Sequence, residues 1–489
     1  MPIQDQEWSI TITNWGGLRP AYFDNSYGSY GNKNQMNDCI NLNLIDPDVM
    51  TQGPGAVALT AGDQTGAVTT TIASILKTVT ATNVSWAVGG AKLYKISATA
   101  VTNDGTYPMT IDKATVTGED ATDLSFYKSN LYIFYNHSGS AGDIAKLTIS
   151  TDTLAPDWGS TVPTGAGTLQ SAPHYTINGG DDVLYFTNGQ YVGTITGTTP
   201  SLTALDFWTD AQAVSVTWNH NRVLVAVNRP NVSGSNFNES GIYTWNGVAS
   251  SWEGDPIEVS GRIGALYTKN GTTFVWWQDS ISTGGFWLGY VNGGRLSPLR
   301  RYKGSLPNQA QVGEYEGYLA WLSSGKLYMF GARDKDLGVI LFQYMSGTYT
   351  TNGAFAAPFG TPLISSTDGA TKFDIAKASG YTVTSSGKTM AFKMSGPGFI
   401  SQINLIQVET EQMSTGAKVD FTLTYDKAKS TLALDQIAYS TANTTLHKIL
   451  TKGVQCEDFR LDIDFSAGSS SNPVKIRSIM INGIFIKRN

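Results

Sequence analysis

The stretch from Val84 to Ile96, VSWAVGGAKLYKI, decides the fold class, because two runs of strand-forming residues flank the tight turn Gly89-Gly90. The same strand–turn–strand pattern returns five more times along the chain. The six turns lie near residues 89, 129, 188, 220, 270 and 317. Their gaps average about 46 residues, and a four-stranded blade of a β-propeller needs about 40–50. The repeat therefore predicts a propeller.

The predicted fold is all-β and has three parts. Residues 1–60 are expected to form an N-terminal extended arm, residues 61–379 the β-propeller, and residues 380–489 an antiparallel β-sandwich. Six repeats are visible and a seventh is expected near residues 362–375, so six and seven blades both remain open. The sandwich is predicted from period-two alternation, as in Val419, Phe421 and Leu423, which indicates one buried and one solvated face.

The composition excludes several classes of protein. Charged residues make up 15% of the 489 residues, against roughly 25% in a typical domain. The net charge of −6 is not the strongly basic footprint of a nucleic-acid binder. Cys39 and Cys456 are predicted to be free thiols. We expect no signal peptide, since the N-terminus lacks a basic region followed by an apolar run, and no membrane span.

Motifs that carry catalytic chemistry are missing from the sequence. The four histidines, His137, His174, His220 and His447, do not have the spacing of a zinc site. The chain has no nucleophile elbow, P-loop or Rossmann fingerprint. A glycosidase needs two carboxylates facing a cleft, and the candidates are scattered: they are Asp181, Asp182, Asp206, Asp210, Glu253, Asp255 and Glu258. We therefore expect no catalytic residue, no metal, no cofactor and no enzymatic activity.

Two clusters are candidates for binding. The basic residues Arg295, Arg300, Arg301 and Lys303 form the densest positive patch, a candidate channel lining for nucleic acid or a subunit interface. A solvated loop or interface rim is favoured over the channel. The aromatic run from Trp276 to Trp287 is a candidate sugar platform, with packing between blades favoured instead.

The N-terminal segment carries a family resemblance. Its features are Gly16-Gly17-Leu18, the Asn-rich run Asn34–Asp38, then Asn41 to Asp46, and Thr51–Gly55. This order resembles the start of many bacteriophage tail proteins, although Gln52-Gly53-Pro54-Gly55 stands where those proteins carry an Arg before the Pro-Gly turn. Gly398–Glu409 and Val419–Tyr425 look like the β-sandwich modules of those proteins. The whole arrangement is similar to the nozzle (tail tubular) proteins of short-tailed phages.

The resemblance implies a structural role in the virion tail. The chain would be made in the host cytoplasm and form a ring of copies, with six as the expected number, that lines or caps the DNA exit channel. Its partners would be its own copies, other phage tail or portal-adaptor proteins and, without sequence specificity, DNA. No cofactor, active site or membrane contact is implied.

The alternative from another class is a glycan-binding or glycan-cleaving propeller, acting in receptor binding or as a depolymerase. A cleaving enzyme requires two or more carboxylates about 5–10 Å apart in the central funnel. A binding module in the C-terminal sandwich would show an exposed aromatic surface there. Rings in electron micrographs would favour the structural role.

Overall fold

The fold is seen in a computed structural model, which describes most of the chain. The described residues are 7–13, 15, 27–28, 36–46, 48–59, 68–80, 83–112, 118–137, 140–161, 169–229, 240–279, 285–331, 340–345, 353–368, 372–379, 381, 385–389, 391–392, 399–440, 445–450, 452–466 and 472–487. Gly16-Gly17-Leu18, Asn34, Gln35 and Gly398, quoted above, lie outside them. The all-β prediction is confirmed, and the propeller has seven blades.

Each blade is a four-stranded antiparallel sheet. From the axis outward, the strands of blade 1 are Ser74–Ile75, Ser85–Gly89, Lys92–Ile96 and Met109–Thr110, and those of blade 2 are Asp120–Tyr127, Asn130–His137, Ser140–Thr148 and Thr153–Ala155. In the same order, the strands of blade 3 are Thr176–Asn178, Leu184–Asn188, Tyr191–Thr196 and Thr199–Asp206, and those of blade 4 are Gln212–Asn219, Arg222–Asn228, Ser240–Trp245 and Glu253–Val259. The strands of blade 5 are Arg262–Lys269, Thr272–Gln278, Phe286–Asn292 and Arg295–Tyr302, and those of blade 6 are Val312–Tyr315, Tyr318–Ser323, Lys326–Gly331 and Ile340–Met345. Blade 7 consists of Phe355–Ala356, Leu363–Asp368, Lys372–Ser379 and Gly55–Ala58. Among the described residues, Trp158–Thr161 and Gln309–Gln311 form short 3-10 helices.

Blade 7 closes the ring with a strand from the other end of the chain. Its outermost strand, Gly55–Ala58, pairs with residues 376–379 of Lys372–Ser379. The innermost strands of blades 7 and 1 then contact each other. One hydrophobic cluster spans these two blades, with Ile72 and Ile75 on one side and Leu363 and Ile375 on the other. The two ends of the propeller are therefore held together by strand pairing and by a shared core.

The hydrophobic core lies between the blades rather than on the axis. Five further clusters join successive blades from 1 to 6, and blades 6 and 7 share a core with the C-terminal sheets. Both faces of a blade are thus buried, which explains continuous apolar runs such as Val223–Val227. Because the apolar side chains of the blades pack between neighbouring blades, polar side chains can lie along the axis.

Two larger sheets share a hydrophobic core with blades 6 and 7 of the propeller. The seven-stranded sheet contains Glu7–Ile12, Leu42–Asn43, Met50–Gln52, Phe399–Thr410, Leu446–Leu450, Val454–Cys456 and Lys475–Lys487. The eight-stranded sheet contains Tyr27–Gly28, Met36–Ile40, Ser385–Thr389, Ala391–Phe392, Lys418–Tyr425, Ser430–Ala433, Ile437–Ala438 and Phe459–Ser466. Trp8 of the first sheet stacks on Phe459 of the second, with ring centroids 5.9 Å apart. The structure thus gives two sheets with a common core, and the stacked β-sandwich stays a prediction.

The N-terminal residues are distributed over several sheets. Glu7–Ile12 pairs with Lys475–Lys487, Met36–Ile40 pairs with Ser385–Thr389, and Gly55–Ala58 belongs to blade 7. The described part of residues 1–60, predicted as an extended arm, therefore contributes strands to both C-terminal sheets and to the propeller. Cys39 and Cys456 are both buried thiols in the core that these sheets share.

No α-helix with the length and apolar character that a membrane crossing requires occurs among the described residues.

Candidate functional site

A cavity of about 290 Å³, lined by apolar and polar side chains, lies on the propeller axis, and we call it the funnel. The innermost strands of blades 1 to 5 and the 3-10 helix before blade 6 line it. Lys77, Thr78 and Asn178 are exposed at its wall, so the funnel is open to solvent. Its lining is Ser74–Thr78, Asp123–Phe126, Thr176–Asn178, Val216–Trp218, Leu266–Thr268 and Gln309–Ala310.

Asp123 joins three blades at the inner end of the funnel. Its Oδ1 accepts a hydrogen bond from Ser74 Oγ of blade 1 at 2.5 Å. Its Oδ2 accepts from the backbone N–H and the hydroxyl of Thr176 in blade 3, at 2.8 and 2.9 Å. Burial raises the pKa of Asp123, and these donors together with the charge of Lys77 oppose the rise. The carboxylate is therefore bound on both oxygens by the blades themselves.

Gln309 makes the corresponding connection on the opposite side. Its Oε1 accepts hydrogen bonds from Ser215 Oγ and from the backbone N–H of Val216, both at 2.7 Å. Its Nε2 donates to the carbonyl oxygen of Thr176 at 3.1 Å. Ser215 Oγ in turn accepts from the N–H of Leu266 in blade 5 at 2.8 Å. One buried side chain thus ties blades 3, 4 and 5 to the segment that precedes blade 6.

Asp123 and Ser215 are both preceded by an irregularity in the strand pairing. The pairing register shifts between Ala121 and Asp123 in blade 2, and between Ala213 and Ser215 in blade 4. Such a β-bulge redirects the side chain that follows it. Asp123 and Ser215 therefore both reach an N–H on the innermost strand of the next blade.

The aromatic rings of Phe126, Trp218 and Tyr267 are part of the funnel lining. Trp218 stacks on Tyr185, with centroids 6.0 Å apart and planes at 21°, and the Tyr185 hydroxyl donates to Asp181 at 2.5 Å. Gly179 and Gly180 permit this packing, because a Cβ on Gly180 would lie 2.8 Å from Trp218 Nε1. Trp218 is therefore held in place while remaining partly exposed to the funnel.

Lys77 crosses the funnel from blade 1. Its ammonium donates to the carbonyl oxygen of Gln309 at 3.4 Å and lies 5.4 Å from the ring centroid of Tyr267 in blade 5. The walls that surround it lower the pKa of Lys77 to about 8, an effect that Asp123 opposes. Because the side chain is also exposed to the water of the funnel, that water offsets part of the desolvation and favours the charged ammonium.

The sequence-predicted basic patch lies elsewhere. Arg295, Arg300 and Arg301 belong to the outermost strand of blade 5, and Lys303 follows it. The patch therefore does not line the propeller's own funnel, and its role as a channel lining in an assembly or as an interface stays a prediction. The guanidinium groups of Arg300 and Arg301 lie over Phe330 and Trp287, at 5.9 and 5.8 Å from the ring centroids.

The other candidates are also dispersed. The carboxylates of Asp182, Asp210 and Glu253 pair with Lys128, Arg229 and Arg222, and none of the seven carboxylates named from the sequence lines the funnel. Trp276 is fully buried against Trp321, so the aromatic run contributes to the core. The described residues contain no group of three metal-ligating side chains. Sequence reasoning missed Asp123, Gln309 and Lys77; the available signal was the second acid of the strand Asp120–Tyr127, which is buried in the middle of the strand, whereas Asp120 is exposed at its start.

A second cavity, of about 520 Å³, lies between blades 5 and 6. Its two charged lining groups, Lys269 and Glu314, form an ion pair at 3.2 Å. It is shallower than the funnel and its ionisable groups are already paired. The funnel is therefore the stronger candidate site.

Comparisons with known proteins find similar solved structures but no family to which the chain can be assigned. No family model matches the chain, and no curated protein matches it. Among solved structures it is similar to an exo-β-1,3-galactanase from Phanerochaete chrysosporium with galactose, at 8% identity and a TM-score of 0.32, over 88% of this chain and 100% of that one. It is also similar to extracellular domains 1–2 of semaphorin 1a from Drosophila, at 10% identity and a TM-score of 0.37, over 67% of this chain and 88% of that one.

These findings correct one prediction. We expected from the sequence that the protein is not an enzyme, and similarity to structures of a galactanase contradicts that expectation, which is withdrawn. A TM-score of 0.32 at 8% identity carries no argument about a reaction or a substrate of this chain.

Proposed function

We propose that the protein is a glycan-binding propeller and that the funnel is its binding site. The observation that carries the proposal is the funnel wall, where the rings of Phe126, Trp218 and Tyr267 alternate with hydroxyl and amide groups around an open cavity. Ligand sites are typically concave and largely apolar, with a few placed polar groups that fix orientation. The funnel, at about 290 Å³, is close to the lower end of the ~300–1,000 Å³ range of such sites.

The wall offers what a sugar needs for recognition. A pyranose has a C–H face that packs on an aromatic ring and hydroxyl groups that require hydrogen-bond partners. Trp218 supplies a fixed ring, because Tyr185 and the Gly179-Gly180 pair position it. Asn178 donates through its amide nitrogen to the Phe126 carbonyl at 2.9 Å, which leaves its amide oxygen as an acceptor for a ligand.

The proposal is made for glycan binding, for which the funnel wall supplies the groups. Glycoside hydrolysis in most families uses two carboxylates that flank the scissile bond. Among the described residues that line the funnel, Asp123 is the one carboxylate, and three hydrogen bonds from Ser74 and Thr176 occupy its oxygens. The geometry of the wall therefore supports the binding form of the glycan hypothesis.

A glycan array tests the proposal. The wild-type protein is expected to bind a defined subset of oligosaccharides, and Trp218→Ala should lose that binding because it removes the ring that the sugar packs on. Trp208→Ala is the matched control, since Trp208 is also partly exposed (37%) but lies outside the funnel. Circular dichroism checks that both variants fold. Loss of binding in Trp208→Ala but not in Trp218→Ala would contradict the assignment of the site, and an array without hits would contradict the function.

A second candidate is a structural role in a phage tail, as the N-terminal resemblance suggests. The observation that favours it is the position of the residues that carry the resemblance. Asn41 is fully buried with φ of 51°, and it exchanges hydrogen bonds with Gly53 at 2.8 and 3.3 Å. The side chain of Gln52 bonds Tyr381 O at 3.1 Å and Val474 N at 3.4 Å. These residues join the C-terminal sheets to Gly55–Ala58, the outermost strand of blade 7, as expected for a motif that determines architecture.

Electron microscopy tests this second candidate. We propose that the chain forms rings, with six copies as the expected number, and that the Arg295–Lys303 patch faces a neighbouring copy or the channel. Rings in negative stain, or assembly with other tail or portal-adaptor proteins, would support it. A monodisperse monomer that stays outside phage particles would refute it.

A further inference from the structure

The funnel contains one cation and one carboxylate among its described lining residues, and the two differ in how they are bound. Asp123 accepts hydrogen bonds from Ser74 and Thr176 on both oxygens. Lys77 has a weaker set of described partners: one carbonyl oxygen, that of Gln309, at 3.4 Å, and the face of the Tyr267 ring. An ammonium has three donors, so Lys77 retains donors for a ligand.

Lys77 reaches across the funnel and is exposed to solvent there. It follows the innermost strand of blade 1 and reaches toward blade 5, opposite its own wall. It is exposed to the funnel's solvent, whereas Asp123 is 7% exposed and lies among the blades. An incoming ligand therefore meets the positive charge of Lys77 before it meets the carboxylate.

The protonation of Lys77 is consistent with a role in anion binding. The enclosing walls lower the pKa of its ammonium to about 8, so it is mostly charged at pH 7. The titratable groups that face it are Asp123 from blade 2 and Tyr267 from blade 5, whose pKa burial raises to about 12. An anion beside Lys77 would favour the charged form and raise its pKa again.

We propose that the funnel selects saccharides that carry an acidic group, a carboxylate or a sulfate, and that the Lys77 ammonium binds this group while the sugar face packs on Trp218. This inference rests on the proposed glycan-binding function and names the class of glycan. One cation at the wall matches one negative charge on the sugar unit that enters. Charge-assisted hydrogen bonds are roughly twice as strong as neutral ones, so the acid group is a large part of selectivity.

The test measures binding of matched ligand pairs by calorimetry. The probes are a glucuronic-acid-terminated, a sulfated and a neutral disaccharide of the same linkage, with wild type, Lys77→Gln and Lys77→Arg. Lys326→Gln is the control, because it removes one exposed positive charge outside the funnel. Wild type and the control are expected to favour an acidic probe by about tenfold, because a hydrogen bond to a charged group contributes about 1 kcal/mol more than a neutral one. Lys77→Gln should lose this preference while Lys77→Arg keeps part of it.

The pH profile adds a second readout. Affinity for the acidic probe should fall as the pH rises through the pKa of Lys77, and binding of the neutral probe should not change. Equal wild-type affinity for acidic and neutral probes would overturn the inference and leave glycan binding intact, and so would a preference that survives in Lys77→Gln. The carboxylate and sulfate arms show which acid is bound. Failure of every saccharide to bind would overturn the proposed function as well.

Discussion

Gln309 is a buried side chain that ties blades 3 and 4 to the segment before blade 6. Replacing it by Met keeps a similar length and removes three hydrogen bonds: two to Oε1 at 2.7 Å and one from Nε2 at 3.1 Å. A hydrogen bond contributes about 0.5–1.5 kcal/mol net, and a buried group left without its partner costs about 1–3 kcal/mol. The Val216 N–H would be left without this partner in a buried position, because Gln309 is only 7% exposed and water does not take its place. We expect the variant to be destabilised by about 2–4 kcal/mol.

Two measurements check this expectation. Urea unfolding followed by circular dichroism should show a lower midpoint for Gln309→Met, and hydrogen exchange should show faster exchange at the Val216 amide. Gln190→Met is the matched control, because it removes one exposed hydrogen bond, to Asp206 at 3.0 Å. Substitutions of that kind usually change stability by less than about 0.5 kcal/mol. An unchanged midpoint together with unchanged Val216 exchange in Gln309→Met would refute the reasoning.

Three further predictions concern other parts of the chain. His174 is fully buried, and burial lowers its pKa from 6.5 to about 4. Between these two pH values the unfolded chain binds a proton that the folded chain does not, so the free energy of unfolding falls as the pH falls from 6.5 toward 4, by up to about 3 kcal/mol. His174→Gln should flatten this loss of urea midpoint with falling pH, and an unchanged slope would contradict the assignment. Gly53→Ala should destabilise the protein by about 1–3 kcal/mol, because its Cβ would lie 2.5 Å from the Asn41 carbonyl oxygen; a thermal midpoint equal to that of wild type would count against this packing. Cys39 and Cys456 are buried, and burial raises the pKa of Cys456 to about 12, so a thiol reagent should modify both only after unfolding; rapid labelling of the native protein would disprove it.

The hairpin repeat predicted the propeller, but it did not predict the blade count. The turns near 129, 220, 270 and 317 join the first and second strands of blades 2, 4, 5 and 6. Those at 89 and 188 join the second and third strands of blades 1 and 3. Gly-Gly and Asn-Gly mark any tight hairpin, whichever two strands it connects. The uneven gaps came from this mixture of hairpins.

Long-range pairing explains the other differences. Blade 7 shows only three strands locally because Gly55–Ala58 completes it from more than 300 residues away. The same holds for Glu7–Ile12, whose partner Lys475–Lys487 is at the other end of the chain. Local patterns identify a strand but not a partner that is distant in sequence.

The funnel was the part that the sequence concealed most. Asp123 and Gln309 acquire their roles only when the ring closes and brings blades 1, 3 and 4 to them. Lys77 follows the two-residue strand Ser74–Ile75, which carries no motif. By contrast, the burial of Val419, Phe421 and Leu423 follows directly from their alternation and was predicted correctly.

The most direct test of the central claim is an experimental structure of the protein with a bound saccharide taken from the array. The account predicts that a sugar ring packs on Trp218 inside the funnel, with its acidic group at the Lys77 ammonium. A saccharide bound elsewhere, for instance at Trp208 or on the C-terminal sheets, with the funnel holding only water, would contradict it.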